Sequence, residues 1–382
     1  MVVSGAELRH RSSAYIGNRS GRACRRRKLS LFHLLALTVL LGTANCTGYI
    51  GSTGEASRPT EVDASAGGSP DGPTTPETPD GSTGGAPAAP AVGSGGTSGT
   101  TNSSRLGVFC GNDPAAVQQF EDWLGRPVDG IVGFTGMADW DDYDGSVPWA
   151  IGIWRGLDRP VFWSVPLLAK GASLDEAAAG SYDDHYRLAA QALARFRPQD
   201  SKIFIRTGWE FNGDWFPWAA KGKEDAYVGA FRRFVGVFRS VSDRFVYEWN
   251  VANADDDGSS ANPEKAYPGD EYVDTIGMDV YWDPTWVPGD AEQAWQALVS
   301  RKWGMEWHQS FADAHHKQTS YSEWGIERDS AAPYIGHAQQ WFADHHVLFH
   351  SYWNSQSGFS GMLSDDQYPS AGAEYRRAFG RP

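Results

Sequence analysis

The sequence predicts an α/β protein, a (β/α)8 TIM barrel preceded by a signal segment and a disordered linker. Three observations predict it. All 17 tryptophans lie between Trp123 and Trp353, so the first third of the chain lacks a side chain that is highly buried in most folded cores. Residues 47–104 have almost no large apolar side chains. From residue 105 onward, eight short β-type runs alternate with helical stretches, as they do in a (β/α)8 barrel.

Residues 1–46 are predicted to be a signal peptide or a lipoprotein or membrane-anchor segment. Residues 1–28 carry a net charge of +7, and Leu29–Leu41 is an apolar run too short for a comfortable membrane span. Residues 42–44 (Gly-Thr-Ala) form a small-x-small cleavage site, and residues 43–46 (Thr-Ala-Asn-Cys) loosely resemble a lipobox. Ordinary cleavage, lipidation and an uncleaved anchor stay open. The protein is expected to be exported, either secreted or tethered to the cell envelope, and to contact a membrane only through this segment.

Residues 47–104 are rich in Gly, Ser, Thr, Ala and Pro, and predict a flexible tether that cannot bury enough surface to fold. The whole chain has a formal net charge of −14, so the 354 residues after the basic segment carry −21. Such a domain repels nucleic acid and polyanionic glycans, which favours a neutral polymer as its partner. We expect residues 105–382 to form one catalytic domain and the protein to be a monomer.

The barrel prediction depends on strands and helices that alternate along residues 105–382. A doubly wound open sheet is the alternative, but residues 110–113 (Cys-Gly-Asn-Asp) do not match the Gly-rich first turn of that fold. The predicted strands are Leu106–Cys110, Gly130–Phe134, Val161–Val165, Ile203–Thr207, Phe245–Val251, Thr275–Tyr281, Thr319–Glu323 and Val347–Trp353. The predicted helices are Pro114–Leu124, Pro148–Gly156, Ser181–Phe196, Lys223–Ser240, Ala291–His315, Pro333–His345 and Tyr375–Phe379.

Two glutamates stand at the carboxyl ends of predicted strands, where a TIM barrel carries its active site. Glu210 follows the fourth strand among several tryptophans, and Glu323 ends the seventh. Desolvation by indole rings raises the pKa of a carboxyl group and suits Glu210 to general acid catalysis. The fourth and seventh strands face each other, so the two carboxyl groups could lie the roughly 5–5.5 Å apart that a retaining glycosidase needs. A buried aromatic turn with a satisfied glutamate is the alternative interpretation.

Three segments in this order resemble glycoside hydrolase family 26, whose members include β-mannanases. Residues 206–218 (RTGWEFNGDWFPW) resemble the acid/base segment of that family. Residues 267–281 (YPGDEYVDTIGMDVY) resemble its sixth strand, and residues 322–325 (SEWG) resemble its nucleophile strand. The resemblance covers about residues 105–382.

The resemblance implies roles for individual residues. Glu210 would be the acid/base and Glu323 the nucleophile. Tyr281 would hydrogen-bond the nucleophile, Arg206 would keep it ionised, and Trp353 would lie under the sugar at subsite −1. The resemblance also implies retention of anomeric configuration and neither a cofactor nor a catalytic metal.

By this resemblance the protein is expected to be an exported retaining endo-β-glycosidase that acts on a neutral β-linked polysaccharide, with β-1,4-mannan as the first choice. The family has a histidine just before the acid/base, and Trp209 stands there. An indole can only donate a hydrogen bond, so mixed-linkage β-glucan (an endo-β-glucanase or lichenase) and bacterial exopolysaccharide stay open as substrates. A non-catalytic glycan-binding barrel is an alternative of another class. A metal-dependent deacetylase, suggested by Asp344, His346 and His350, lacks a further acidic metal-binding motif.

A wider set of side chains is predicted to contact the sugar, because indole faces stack on the apolar faces of pyranoses and because the others stand near strand ends. This set comprises Arg206, Trp209, Asn212, Trp215, Trp218, Asn253, Tyr281, Trp282, Trp324 and Trp353. On the fifth strand, Glu248 stands where an apolar residue is expected, and we interpret it as a hydrogen-bonded core carboxylate.

One further pattern fits a structural calcium loop. Its ligands would be Asn253, Asp255, Asp257 and Glu264, whose spacing follows that of an EF-hand loop. Pro263 interrupts the pattern, and no helix clearly precedes it. An acidic, mobile loop at the rim of the cleft is the favoured interpretation.

Overall fold

A computed structural model describes residues 104–381; the predicted signal segment and almost all of the predicted linker lie outside the described residues. Eight parallel strands form a closed barrel in chain order, in which the first strand pairs with the eighth. The strands are β1 (Arg105–Phe109), β2 (Gly130–Phe134), β3 (Val161–Ser164), β4 (Ile203–Arg206), β5 (Phe245–Ala252), β6 (Thr275–Trp282), β7 (Gln318–Ile326) and β8 (Phe349–Trp353). The predicted (β/α)8 barrel and all eight predicted strands are confirmed.

Helices cover the outside of the barrel. They are α1 (Pro114–Leu124), α2 (Trp140–Ile153), α3 (Leu174–Ala179), α4 (Asp183–Phe196), α5 (Glu224–Val241), α6 (Ala291–Ser300), α7 (Met305–Ala314), α8 (Ala332–Asp344) and α9 (Pro369–Phe379). Helix α5 illustrates their pattern, because Phe231, Phe234 and Phe238 recur every three or four residues and are all buried. Within residues 104–381 no helix is both long and apolar enough to cross a membrane.

The ends of α1 follow from its sequence. The Asp113 side chain accepts a hydrogen bond from the Ala115 amide, and Pro114 occupies the first turn, where a missing amide costs nothing. Gly125 ends the helix with a φ of 83°, a left-handed conformation that glycine adopts without strain. The predicted bounds of this helix are confirmed.

The helix predictions differ from the structure in four places. The last helix, predicted over Tyr375–Phe379, begins six residues earlier, at Pro369. The long helix predicted from Ala291 to His315 is two helices, because residues 301–304 leave the helical path and Trp303 forms an antiparallel bridge with Ala254. Helix α2 begins at Trp140, not at Pro148, because the Asp139 side chain caps it. The short helix α3 was missed, although Ser173 and Gly180 cap it at its two ends.

The barrel interior is apolar near the amino ends of the strands. Phe162 and Phe349 stack there with ring centroids 4.2 Å apart, and Phe204 meets Phe162 edge-on at 5.4 Å. At Gly130 an added Cβ would lie 2.5 Å from the Phe162 ring, so only glycine fits beside it. This aromatic plug closes one end of the barrel and leaves the polar interior side chains at the opposite, carboxyl-end mouth.

Candidate active site

Arg206, the last residue of β4, is the cation around which the polar side chains of the barrel mouth gather. Its Nη1 donates to both carboxylate oxygens of Asp279, at 2.8 and 3.1 Å, and its Nη2 donates to Glu323 Oε1 at 2.5 Å. Ser164 Oγ accepts from Nε and Nη2. Burial alone would lower the pKa of this guanidinium, but the carboxylates of Asp279, Glu323 and Glu248 raise it above its usual value. The cation is therefore permanent and fixed in orientation.

Glu323, the predicted nucleophile on β7, accepts hydrogen bonds on both oxygens. Arg206 holds Oε1, and the Tyr281 hydroxyl donates to Oε2 at 2.6 Å. Burial first and the Glu323 charge second raise the pKa of Tyr281 well above its usual value, so the phenol stays protonated and remains a donor. Both expected contacts to Glu323 are present, and each of its carboxylate oxygens has a donor.

Glu210 lies just beyond β4 in a backbone conformation that is rare for a residue with a side chain. Its φ is 50°, and Gly208 two residues earlier has a φ of 58°. The Glu210 amide donates to the Asn250 carbonyl at 3.1 Å, and the Glu210 carbonyl accepts from the Gly213 amide at 3.0 Å. A left-handed glutamate costs free energy that the surrounding structure must supply, and such strain concentrates at functional sites.

The carboxyl group of Glu210 has a different environment from that of Glu323. Trp215 Nε1 donates to Glu210 Oε2 at 2.8 Å. Burial, helped by the charge of Glu323, raises the pKa of Glu210 to about 8, while the Trp215 hydrogen bond and Arg206 act in the opposite direction. Glu210 is therefore protonated at neutral pH and can donate a proton, whereas Glu323 is held by a fixed cation.

A second layer of polar side chains lies beneath the two glutamates. Ser322 Oγ donates to both oxygens of Glu248, at 2.6 and 2.8 Å. The Asn250 side-chain amide donates to Glu248 at 3.2 Å and to Asp279 at 2.9 Å. The interpretation of Glu248 as a hydrogen-bonded core carboxylate is confirmed. The contact of Asp279 with Arg206 was missed, although Asp279 stands two residues before Tyr281 and so shares its strand face.

Aromatic side chains occupy the other side of the mouth. Trp353 lies 4.1 Å from Phe109 and 6.1 Å from Phe134, measured between ring centroids. Trp209 meets Phe134 edge-on at 5.7 Å. The Arg206 guanidinium lies over both the Trp209 ring and the Phe134 ring, at 5.1 and 5.3 Å. These rings remove water from beside the cation, which strengthens its interactions with the carboxylates.

Three tryptophans predicted to contact sugar do not line the mouth. Trp218, Trp282 and Trp324 are all 0 % exposed, so this prediction was wrong for them. Trp282 follows Tyr281 on the same strand and therefore points to the opposite face, towards the helices. The Trp218 indole folds beneath the loop and donates to the Trp209 carbonyl at 2.6 Å.

The two asparagines of the predicted sugar-contacting set hydrogen-bond to backbone groups instead. The Asn212 side chain is fully buried and exchanges two hydrogen bonds of 2.8 Å with the backbone of Ala252. This clamp ties the Glu210 loop to the end of β5, and the sugar contact predicted for Asn212 was wrong. Asn253 donates to the Leu298 carbonyl at 2.9 Å and so joins the β5 loop to α6.

The residues of the calcium pattern make separate contacts. Asp257 accepts from Ser259, and Glu264 accepts from Trp307 Nε1 at 3.0 Å. No three His, Cys, Asp or Glu side chains between residues 104 and 381 are grouped so that they could hold a metal ion. His350, part of the deacetylase alternative, is buried and receives a hydrogen bond from Trp324 Nε1.

Comparison with known proteins finds sequence similarity to glycoside hydrolases. Residues 178–302 match the sequence model of the family described as glycosyl hydrolase family 26. Endoglucanase H of Acetivibrio thermocellus is 27% identical over 207 residues, which are 52% of this chain and 22% of that protein. The chain thus matches less than a quarter of the length of this curated relative. The matched family segment contains the motifs at residues 206–218 and 267–281.

Solved structures share the fold. A Bacillus subtilis mannanase superposes with a TM-score of 0.51 at 15% identity, covering 72% of this chain and 85% of that one. The catalytic domain of a Bacillus sp. JAMB-750 endo-beta-1,4-mannanase gives a TM-score of 0.52 at 14% identity, covering 73% and 87%. The predicted resemblance to glycoside hydrolase family 26 is confirmed.

Proposed function

We propose that this chain, a relative of glycosyl hydrolase family 26, is a retaining endo-β-glycosidase that hydrolyses a neutral β-linked polysaccharide. The observation that carries the proposal is that two carboxyl groups at one barrel mouth have different environments. Glu210 is held neutral by burial, while Glu323 is held between Arg206 and Tyr281. A double displacement requires one acid and one carboxylate in this relation.

In the first step, a Glu323 oxygen attacks the anomeric carbon as the glycosidic C–O bond breaks. Glu210 donates its proton to the departing oxygen, and the sugar remains bound to Glu323 as an ester. In the second step, Glu210 takes a proton from water, the water oxygen attacks the anomeric carbon, and the Glu323 carboxylate leaves. Ester formation removes the negative charge of Glu323, which is one cause of the raised pKa of Glu210. Glu210 can therefore change from acid to base between the two steps.

The polymer is first proposed to be β-1,4-mannan, which the mannanase structures sharing this fold support. Mixed-linkage β-glucan is the second candidate, supported by the endoglucanase relative and by Trp209. The Trp209 indole can only donate a hydrogen bond, and it forms part of an aromatic surface suited to the flat apolar face of an all-equatorial sugar. The net charge of −21 beyond the basic segment supports an uncharged substrate in either case. Export through residues 1–46 is part of the same proposal.

The test is the release of reducing sugar by the full chain from β-mannan, mixed-linkage β-glucan and xylan. We expect hydrolysis of at least one polymer, and the ranking of the three identifies the substrate. Glu210→Ala and Glu323→Ala should each abolish hydrolysis while the circular dichroism spectrum is unchanged. Glu306→Ala, which removes an exposed glutamate of α7, is the matched control and should retain wild-type activity. If either active-site variant hydrolysed the polymer at a near-wild-type rate, the assignment would be wrong.

A further inference from the structure

Where it carries the proposed nucleophile, strand β7 has one extra residue in its pairing with both β6 and β8. On the β6 side, Gly277 pairs with Ser320 and Asp279 pairs with Glu323, so one residue of β6 lies opposite two of β7. On the β8 side, Tyr321 pairs with His350 and Trp324 pairs with Tyr352, so three steps along β7 correspond to two along β8. This is a β-bulge, a feature that re-aims side chains and is common beside active sites.

The bulge changes which side chains face the barrel interior. Tyr321 packs against His308 of α7 at 5.2 Å, and Trp324 packs against Tyr375 of α9 at 5.8 Å, so both point outward. Regular alternation would put residues three apart on opposite faces. Because both point outward, Ser322 and Glu323 between them both point inward, and the orientation of Glu323 depends on the bulge.

Glu248 on β5 holds the inward side of the bulge. Both of its carboxyl oxygens accept from Ser322 Oγ, and only 5 % of its surface is exposed. Its carboxyl group lies over Gly277, where an added Cβ would approach Glu248 Oε1 to 1.9 Å. A side chain at residue 277 would therefore displace Glu248 from Ser322, so the glycine makes this contact possible.

The same carboxyl group connects to the other support of the nucleophile. Asn250 bridges Glu248 to Asp279, and Asp279 binds Arg206, which in turn donates to Glu323. Glu323 is therefore supported through its backbone neighbour Ser322 and through its own side-chain oxygen. Glu248 takes part in both supports but itself lies one layer below the reacting groups.

We propose that Glu248 is a positioning residue that fixes the β7 bulge through Ser322 and so directs Glu323 towards Arg206 and Tyr281. This inference rests on the proposed function, because it assigns Glu248 a part in nucleophilic attack. A carboxyl group with a purely structural role would affect stability and leave the turnover of the folded enzyme unchanged. A positioning role lowers kcat in a protein that is still folded.

The expected effects follow from the contacts. Ser322→Ala removes the hydroxyl that ties the bulge to Glu248, and a shift of about 1 Å in a reacting group can cost on the order of a hundredfold in rate. We therefore expect kcat to fall by about tenfold to a hundredfold. KM should change little, because Trp353 and Trp209 are untouched. Glu248→Ala should lower kcat in the same way, whereas Glu248→Gln keeps the shape and a carbonyl acceptor and should restore most of the rate.

The matched control is Ser351→Ala on β8. Ser351 is also a buried serine in the barrel, but none of the residues that the structure describes hydrogen-bonds to its Oγ. The experiment measures kcat and KM of the full-length wild type and the four variants on the polymer that the wild type hydrolyses, with thermal melts to compare folding. We expect kcat to be similar in the wild type, Ser351→Ala and Glu248→Gln. In Ser322→Ala and Glu248→Ala it should be well below that value.

Two outcomes separate this inference from the proposed function. If the wild type hydrolyses no polymer, the proposed function fails. If the wild type is active and Ser322→Ala has the same kcat as Ser351→Ala, the positioning role of Glu248 is wrong. Should Glu248→Ala fail to fold, the comparison of the two serine variants decides alone, since each loses only one hydroxyl group.

Discussion

The two sides of the barrel mouth have opposite chemistry. From β4 to β7 the interior carries Arg206, Asp279 and Glu323, joined by hydrogen bonds, and Glu248, which Asn250 connects to Asp279. We call these four residues the polar arc. From β8 through β1 to β2 the mouth carries Trp353, Phe109 and Phe134, which pack on one another, and we call these three the aromatic arc.

This difference separates two tasks. Charges that must be fixed before a reaction need a rigid hydrogen-bonded network, and the polar arc supplies one. In the proposed function, the apolar face of a neutral sugar would pack on hydrophobic side chains, and the aromatic arc is the part of the mouth that has them. Arg206 lies where the arcs meet, since its guanidinium binds two carboxylates and lies over two aromatic rings.

The most severe change to the polar arc is Arg206→Met. It removes the cation that binds Asp279 and Glu323 and leaves both acids buried without it. We expect activity to be lost and stability to fall by about 3–5 kcal/mol, as when one partner of a buried ion pair is removed. Urea unfolding and kcat/KM measure the two effects. The surface variant Arg377→Met, which removes one partner of an exposed pair with Glu374, is the control, and an equal loss there would contradict the account.

Substitutions in the aromatic arc should change KM more than kcat. Trp353→Ala removes the ring that we propose lies beneath the sugar but neither of the donors to Glu323, Arg206 and Tyr281. An increase in KM of about tenfold is expected, equivalent to about 1.4 kcal/mol of lost binding. Trp353→Phe keeps an aromatic face and should recover part of the affinity. A fall in kcat with unchanged KM would show that the two arcs do not have separate tasks.

A smaller effect should follow from Trp215→Phe. The indole hydrogen bond lowers the pKa of Glu210, so its loss should raise that pKa further. Because a general acid works only while protonated, the alkaline limb of kcat/KM, expected near pH 8 in the wild type, should move to higher pH. The measurement is a pH–rate profile of both proteins. A limb that stays in place or moves towards acid would exclude this role for the indole.

A further effect concerns the pH dependence of stability. The pKa of Glu210 is raised from 4.5 to about 8 in the folded protein, so its protonated form is favoured by folding. That contribution is fully present below about pH 4.5 and is lost as the pH rises through about 8. Glu210→Gln cannot ionise, so its melting temperature should exceed that of the wild type by an amount that grows between these pH values. Calorimetry at pH 4, 6 and 8 tests this, and a constant difference would contradict the raised pKa.

The sequence predicted the fold well because the strands and their ends depend on local patterns. Buried apolar runs between helices gave all eight strands, and strand-end polar residues gave Arg206, Tyr281 and Glu323 at one mouth. Trp324 was misplaced because its position at a strand end was taken to place it in the mouth, whereas it directly follows the inward-facing Glu323 and so points outward, onto Tyr375. Trp218 was misplaced because the path of a loop side chain depends on tertiary packing, here beneath Trp209.

The most direct test of the central claim is to trap the covalent intermediate. An oligosaccharide fluoride with a second fluorine at C2 of the reacting sugar, built from the preferred substrate, should glycosylate the nucleophile with loss of the anomeric fluoride, and the adduct should turn over slowly. We predict that the peptide that contains Glu323 gains the mass of the transferred 2-fluoro-oligosaccharyl group, and that Glu323→Ala forms no adduct. An active enzyme that forms no adduct and releases its first product with inverted anomeric configuration would contradict the account.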